Sequence, residues 1–192
     1  MGMAIKKEHT AEDPEMIQNE SYEDRDFSEL YDEYFDRINR YLRSRVHNMW
    51  DADDLTTVVF MKALEKFHQY DRRNLFASWI FRIAHNTFID YLRKVKEYPM
   101  EPGEWMNGSH EDHDDTWQPE KNLLNDEQVY FLHEKMEQLT QDQRDVLSLR
   151  YFGDLKISQV AEVLGKTESS VKMISHRGLR QLQKLYEMEG QG

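Results

Sequence analysis

Residues 157–174 read ISQVAEVLGKTESSVKMI. Ala161 is small, Gly165 follows four positions later, and Val171 comes six beyond that. The spacing fits two helices joined by a tight turn. It supplies a small residue where the helices touch, a residue that accepts a left-handed backbone, and an apolar anchor on the second helix. Val160, Val163 and Leu164 fill the other inward positions, and Thr167 can cap the second helix. Lys166, Thr167, Glu168, Ser169, Ser170, Lys172, Met173, His176, Arg177 and Arg180 are then free to face outward. An ordinary helical hairpin with a glycine turn shares this spacing. Here, however, the outward face has one large apolar residue, Met173, and is followed by Arg177 and Arg180. The segment reads as a DNA-binding helix-turn-helix, with the start of its second helix aimed at base edges in the major groove.

The rest of the chain is also helical in pattern. Phe27, Leu30, Tyr31, Tyr34, Ile38, Tyr41, Leu42 and Val46 recur at three- and four-residue steps. A second helix is expected from Asp51, capped by that residue, with Leu55, Val59, Ala63, Leu64 and Phe67 inward. After a polar loop, His68 to Asn74, a third helix buries Phe76, Trp79, Ile80, Ile83, Ala84, Phe88 and Leu92. Helical periodicity returns from about Asn122 to Leu139, and Thr140 with Gln143 forms a capping-box pattern opening the next helix. No strand alternation is evident. The expected fold is all-α: two small helical domains, 27–96 and 121–192, joined by a flexible acidic linker, 97–120, and preceded by a flexible acidic tail, 1–26.

The formal net charge of −12 resolves along that layout. Residues 1–26 hold three basic and eight acidic side chains, and residues 97–120 hold none against eight. Residues 27–96 have twelve basic against ten acidic, and residues 140–192 eight against seven. The acidity sits in tail and linker, so net charge does not exclude nucleic-acid binding by the modules. With no cysteine there are no disulfides or thiolate metal sites. The N-terminus lacks an apolar core of signal-peptide length and no segment is apolar enough to span a bilayer, so a cytoplasmic protein without membrane insertion is expected. His110 and His113 lie among linker carboxylates, but glycines and prolines give them no ordered frame, and they are read as solvated rather than as metal ligands. No cofactor is expected.

Asp51-Ala-Asp-Asp-Leu55 with Phe60, then Phe76-Ala-Ser-Trp79-Ile-Phe-Arg82-Ile-Ala84-His-Asn86 and Ile89-Asp90-Tyr91-Leu92-Arg93, resembles the second conserved region of the extracytoplasmic-function (ECF) sigma factors of bacterial RNA polymerase. Leu139 to Leu185, with Gln143-Arg144, Leu149-Arg150-Tyr151-Phe152 and the helix-turn-helix, resembles their fourth region. Both stand in the family's order and spacing. The resemblance implies a binding protein, not an enzyme, that directs promoter-specific transcription initiation. Its partners would be the large subunits of core RNA polymerase, promoter DNA and an anti-sigma factor, with no small-molecule substrate. Asp51, Asp53, Asp54, Leu55 and Thr57 would contact polymerase. Gln69, Tyr70, Arg72, Arg73, Arg82, Asn86 and Arg93 would read the −10 element as single strand, and the outward helix-turn-helix residues would read the −35 element.

The residues suit those roles. Arg82, Asn86, Asp90 and Arg93 form one polar stripe able to meet phosphates and base edges. The 68–74 loop combines an aromatic ring with two arginines, as holding an unstacked base requires. Trp79, Phe76 and Phe67, at helical spacing, are read as core and not as a strand-separating wedge. The chain departs from the family at Thr57 and Val58, where a glutamine-glutamate pair is usual, and at Thr140, where proline is usual. It departs again at Ile174 and Ser175, usually arginine then leucine, and at Leu179, usually basic. A stand-alone helix-turn-helix regulator is the alternative, but it leaves the Asp51–Arg93 match unexplained. An enzyme lacks a His-Glu-x-x-His pair, a phosphate-cradling glycine loop and a nucleophile with a nearby base.

Overall fold

Asp26 accepts a hydrogen bond from the Glu29 amide at 3.0 Å and so caps helix α1, Phe27–Arg43. Leu30, Tyr34, Ile38, Tyr41 and Leu42 form its buried stripe, while Arg40 and Arg43 complement the dipole of its last turn. Helix α2 runs Met49–Lys66, starting two residues before the expected Asp51. Asn48 is the cap, accepting from the Trp50 amide at 3.0 Å. Asp51 falls instead in the first turn, where a carboxylate still favours the helix N-terminus. A single 3-10 turn, Phe67–Gln69, leads towards α3, Phe76–Glu97. The three helices close on Val59, Ala63, Phe76, Ile80, Phe81 and Ala84. Leu64, expected inward, is 59% exposed, because one step past Ala63 rotates it off the buried face.

This computed structural model describes residues 26–46, 48–71, 75–97 and 126–189, with backbone alone at 126–130 and 189. Among them there are seven α-helices and no strand. All but the last residue of the expected tail and all but the first of the expected linker, with its two histidines, lie outside the described residues.

The C-terminal module begins with α4, Asp126–Glu137, and α5, Gln141–Leu147, which continues as a π-helical turn, Ser148–Phe152. The predicted capping box is present: the Gln143 amide donates to Thr140 Oγ1 at 3.4 Å, and Gln143 Oε1 accepts from the Thr140 amide at 3.0 Å. Helix α6, Ile157–Leu164, ends at Gly165 with φ 62° and ψ 34°, the left-handed turn that the sequence required. Helix α7, Glu168–Glu189, crosses α5 at Gly178, where a Cβ would come within 3.0 Å of Leu147 Cδ1. Phe131 of α4 meets Tyr186 of α7 edge-on at 5.2 Å.

The two modules are docked. Val146, Leu149, Leu155, Val160, Ala161, Val163 and Val171 belong to the same apolar cluster as the N-terminal core, with α6 lying along α3. Close approach needs Gly153: a Cβ there would sit 2.6 Å from the Phe81 ring and 2.8 Å from the Leu149 carbonyl oxygen.

Nothing lies within 4 Å of a Cβ built on Gly165, so an alanine there carries backbone strain without a clash. Gly165→Ala should lower unfolding free energy by about 1–2 kcal/mol, measured by urea denaturation followed by circular dichroism. Gly165→Asn should lose less, since asparagine tolerates this conformation.

Candidate nucleic-acid and polymerase interfaces

Helix α7 presents its first three turns to solvent. Thr167 Oγ1 accepts from the Ser170 amide at 3.2 Å, so the expected cap is formed. Val171 is fully buried and Ile174 half-buried, which fixes the rotation of the helix. Ser169, Lys172, Met173, His176, Arg177 and Arg180 are exposed on the opposite side. Lys166 pairs with Asp142 at 3.1 Å, tying the turn to α5, and Glu168 lies 3.9 Å from Lys172. Ser175 is buried and Ser170 half-buried, so these two contribute least to the open face. The result is an exposed face on the first half of α7 that carries Lys172, Arg177 and Arg180 behind an acidic first turn at Glu168.

On α3, Arg82, Asn86 and Arg93 point outward as predicted, with Arg93 paired to Asp90 at 3.0 Å. Arg82 is engaged across the module boundary. Its Nη2 donates to the Glu162 carbonyl oxygen at 2.9 Å and lies 3.6 Å from the Glu162 carboxylate. Gln69 is exposed beside His68. Tyr70 differs from expectation: its ring is buried among Phe67, Phe76 and Trp79, with centroids 5.1–6.1 Å apart, and faces the core, not a base. Burying that aromatic area favours the inward position. Arg72 and Arg73 lie outside the described residues.

The expected polymerase face sorts in a similar way. Asp54 and Thr57 are exposed, whereas Leu55 is core. Asp53 accepts from Asn39 at 2.8 Å and Arg43 at 3.3 Å, and Asp51 accepts from the Tyr91 hydroxyl at 2.8 Å. Burial and that bond to Asp51 push the Tyr91 pKa up. These two carboxylates therefore brace α2 against α1 and α3. The open side of α2 carries residues that periodicity did not assign there: Trp50, Met61 and Leu64, each 57–60% exposed, together with Val58. Together they leave an apolar stripe open to solvent on α2.

Sequence reasoning also missed the groups at the module boundary. Arg45, just after α1, forms an ion pair with Asp145 of α5, their side chains 3% and 10% exposed. Gln141 donates to the same carboxylate oxygen at 2.9 Å. Beside them the Tyr41 hydroxyl lies 3.1 Å from His85 Nδ1. Arg37, over the Tyr34 ring, donates to the Gly153 carbonyl at 3.0 Å and the Asp154 carbonyl at 2.9 Å. One signal was available: Arg45 occupies the register of the inward series Ile38, Leu42 and Val46, where a charge demands a buried partner.

The Sigma-70 region 2 model matches residues 30–97, and the Sigma-70 region 4 model matches residues 136–184. The RNA polymerase sigma factor YlaC of Bacillus subtilis (strain 168) is 31% identical, covering 81% of this chain and 89% of that one. This chain belongs to the ECF sigma factors. The ECF RNA polymerase sigma factor SigX of the same organism is 28% identical, covering 84% of each chain. Among solved structures, CnrH in complex with the cytosolic domain of CnrY superposes with a TM-score of 0.65 at 19% identity, covering 90% of this chain and 94% of that one. The sigma factor RpoE from Bartonella quintana, in complex with the anti-sigma factor NepR, gives 0.63 at 20% identity, covering 84% and 96%. These likenesses show a shared sigma-factor fold. The match to region 2 accounts for the Asp51–Arg93 string that a stand-alone regulator leaves unexplained. Among the described residues of this ECF sigma factor, no helix is long and apolar enough to cross a membrane and no cluster of acidic or histidine side chains could hold a metal.

Burial holds the His85 pKa below its ordinary value, with Asp145 opposing and Arg45 reinforcing that shift. His85 therefore takes up a proton less readily in the folded chain than in the unfolded chain, where it does so near pH 6.5. Stability present above about pH 6.5 is then lost as the pH falls. An imidazole titration by NMR should place His85 below about 6.5. The thermal midpoint should fall on acidification through that range, less steeply in His85→Gln.

Proposed function

We propose that this chain binds core RNA polymerase through the open face of α2 and directs initiation by reading the −10 element with α3 and the −35 element with α7. The carrying observation is the exposed basic face on the first half of α7, on a helix-turn-helix whose turn, cap and anchor are all formed, in one chain with a match to region 2. Lys172, His176, Arg177 and Arg180 supply groove and phosphate contacts, and Met173 an apolar contact to a thymine methyl. Arg82, Asn86 and Arg93 supply contacts to the displaced strand. Asp54 and Thr57 flank the polymerase contact, while Val58, Met61 and Leu64 give it an apolar centre. That centre explains how the surface works without the family's usual glutamine-glutamate pair at positions 57 and 58.

The role is one of binding, exercised in the cytoplasm where polymerase works, with no chemistry performed by this chain. CnrH and RpoE are each described in complex with a protein partner, the cytosolic domain of CnrY and the anti-sigma factor NepR. An anti-sigma partner is proposed for this chain by analogy with them.

Sigma-free core polymerase, mixed with the full chain on a genomic DNA template, should start transcripts at a reproducible set of positions. Failure to bind core would overturn this reading. Met61→Asp combined with Leu64→Asp should weaken core binding by tenfold or more, on the order of 1.4 kcal/mol, without loss of helicity. Neutralising Lys172 and Arg177 together should weaken duplex binding and flatten its salt dependence by about one unit of slope for each phosphate left unneutralised.

A further inference from the structure

We propose that the open apolar face of α2, with the adjoining side of α1, is a docking surface for this chain's own Met1–Lys7 segment, which thereby competes with polymerase for that face. The docking stands on geometry and charge. The competition rests on the polymerase contact proposed above and adds its regulation.

Trp50, Asp54, Thr57, Met61 and Leu64 follow one another at steps of four, three, four and three, and all five are exposed. Those steps set them in one straight row along α2. At 1.5 Å per residue the row is about 21 Å long. The apolar surface widens onto α1. The Tyr31 and Phe35 rings lie 4.7 and 6.0 Å from the ring of Phe60, which is buried between the two helices. Tyr31 is itself 38% exposed. A shallow apolar face therefore spans both helices, broader than a single stripe.

Its rim is acidic. Asp54 and Glu65 are exposed along α2, and Asp32 and Asp36, each one residue after Tyr31 or Phe35, are exposed on α1. The lysines of α2 lie on another side: Lys62 donates to Thr87 of α3 at 3.1 Å, and Lys66 comes one turn later in the same register. Such a face favours a segment that carries cations beside apolar side chains, and like charge on the incoming segment opposes contact. In the sequence before α1, residues 1–7 have that chemistry. They read MGMAIKK, with Met1, Met3 and Ile5 followed by Lys6 and Lys7, and no acid. Residues 8–26 hold eight acids against Arg25 alone. Met16 and Ile17 stand between Glu15 and Glu20, so the rim repels their flanks.

The point of entry also suits this occupant. Phe27, the first residue of α1, packs edge-on against Phe60 at 6.5 Å and Phe67 at 5.2 Å. Leu64 lies between those two on the same side of α2, one turn from each. The chain therefore enters α1 beside the Leu64 end of the exposed row. Nineteen steps separate Lys7 from Asp26, a contour of at most roughly 60–70 Å. That is about three times the length of the row, so Met1–Lys7 can reach any part of it. A tether of this order raises the local concentration of the segment to the order of millimolar, and a contact of a few side chains is then enough to occupy the face.

The chain has no cysteine, so Gly2→Cys carries a single nitroxide on the full chain. In the isotope-labelled protein, NMR relaxation should be enhanced several-fold more at the amides of Thr57, Met61 and Leu64 than along α5. Adding Ile5→Asp, Lys6→Glu and Lys7→Glu should remove that difference while circular dichroism keeps its helical signal, because none of the three belongs to a described helix. A parent without enhancement on α2 overturns the docking, as does enhancement that survives the three substitutions. Enhancement that grows with protein concentration means that a second copy supplies the segment, and it overturns the intramolecular reading.

Core polymerase provides the second arm. The triply substituted chain should bind core several-fold more tightly than the parent, because a self-occupied fraction lowers apparent affinity. Equal or weaker binding overturns the competition. Binding by neither chain would refute the polymerase contact and leave the relaxation result standing.

Discussion

The arrangement of the two modules depends on the seam between α3 and α6. An amphipathic helix has one apolar stripe to bury, and each of these helices buries part of its stripe against the other module. Phe81 fits under Gly153 because that residue has no side chain, and Arg37 closes over the edge of the contact by donating to the Gly153 carbonyl. Two ion pairs cross the seam, Arg45 with Asp145 and Arg82 with Glu162. The docked arrangement keeps Val160 and Ala161 out of water and gives the buried Arg45 a carboxylate partner.

The same need to satisfy polar groups explains why several acidic residues of α2 do not face a partner. Asp51 and Asp53 are engaged by Tyr91, Asn39 and Arg43, holding α2 in place. The outward surface is left to Trp50, Asp54, Thr57, Val58, Met61 and Leu64. Replacing the family's polar pair by threonine and valine shifts this surface towards apolar contact, which is easier to desolvate than a carboxylate and less dependent on salt. At the other end of the molecule, Ser175 is buried and Ile174 half-buried, while Lys172, Met173, His176, Arg177 and Arg180 are exposed.

Much of this is legible in the amino-acid order. The helix-turn-helix is readable to the residue, because a left-handed turn at Gly165 and a cap at Thr167 are local requirements that tolerate few residue types. The capping box at Thr140 and Gln143 is readable for the same reason. Sequence alone misplaces the start of α2 because Asn48 and Asp51 are both competent caps, and choosing between them depends on where Tyr91 lies, forty residues away. It places Tyr70 in solvent because the neighbours of that residue along the chain are polar. Its neighbours in space are Phe67, Phe76 and Trp79.

Periodicity, capping and turn chemistry determined the helices, the two-module layout and the recognition end of α7, because these are set by interactions among residues a few positions apart. The modules' mutual arrangement was decided only in three dimensions. Arg45 and Asp145, like Arg82 and Glu162, are 80 to 100 positions apart. No local rule joins them: burial of the apolar seam brings both pairs into reach, and only at the buried Arg45 does an unpaired charge carry a large cost.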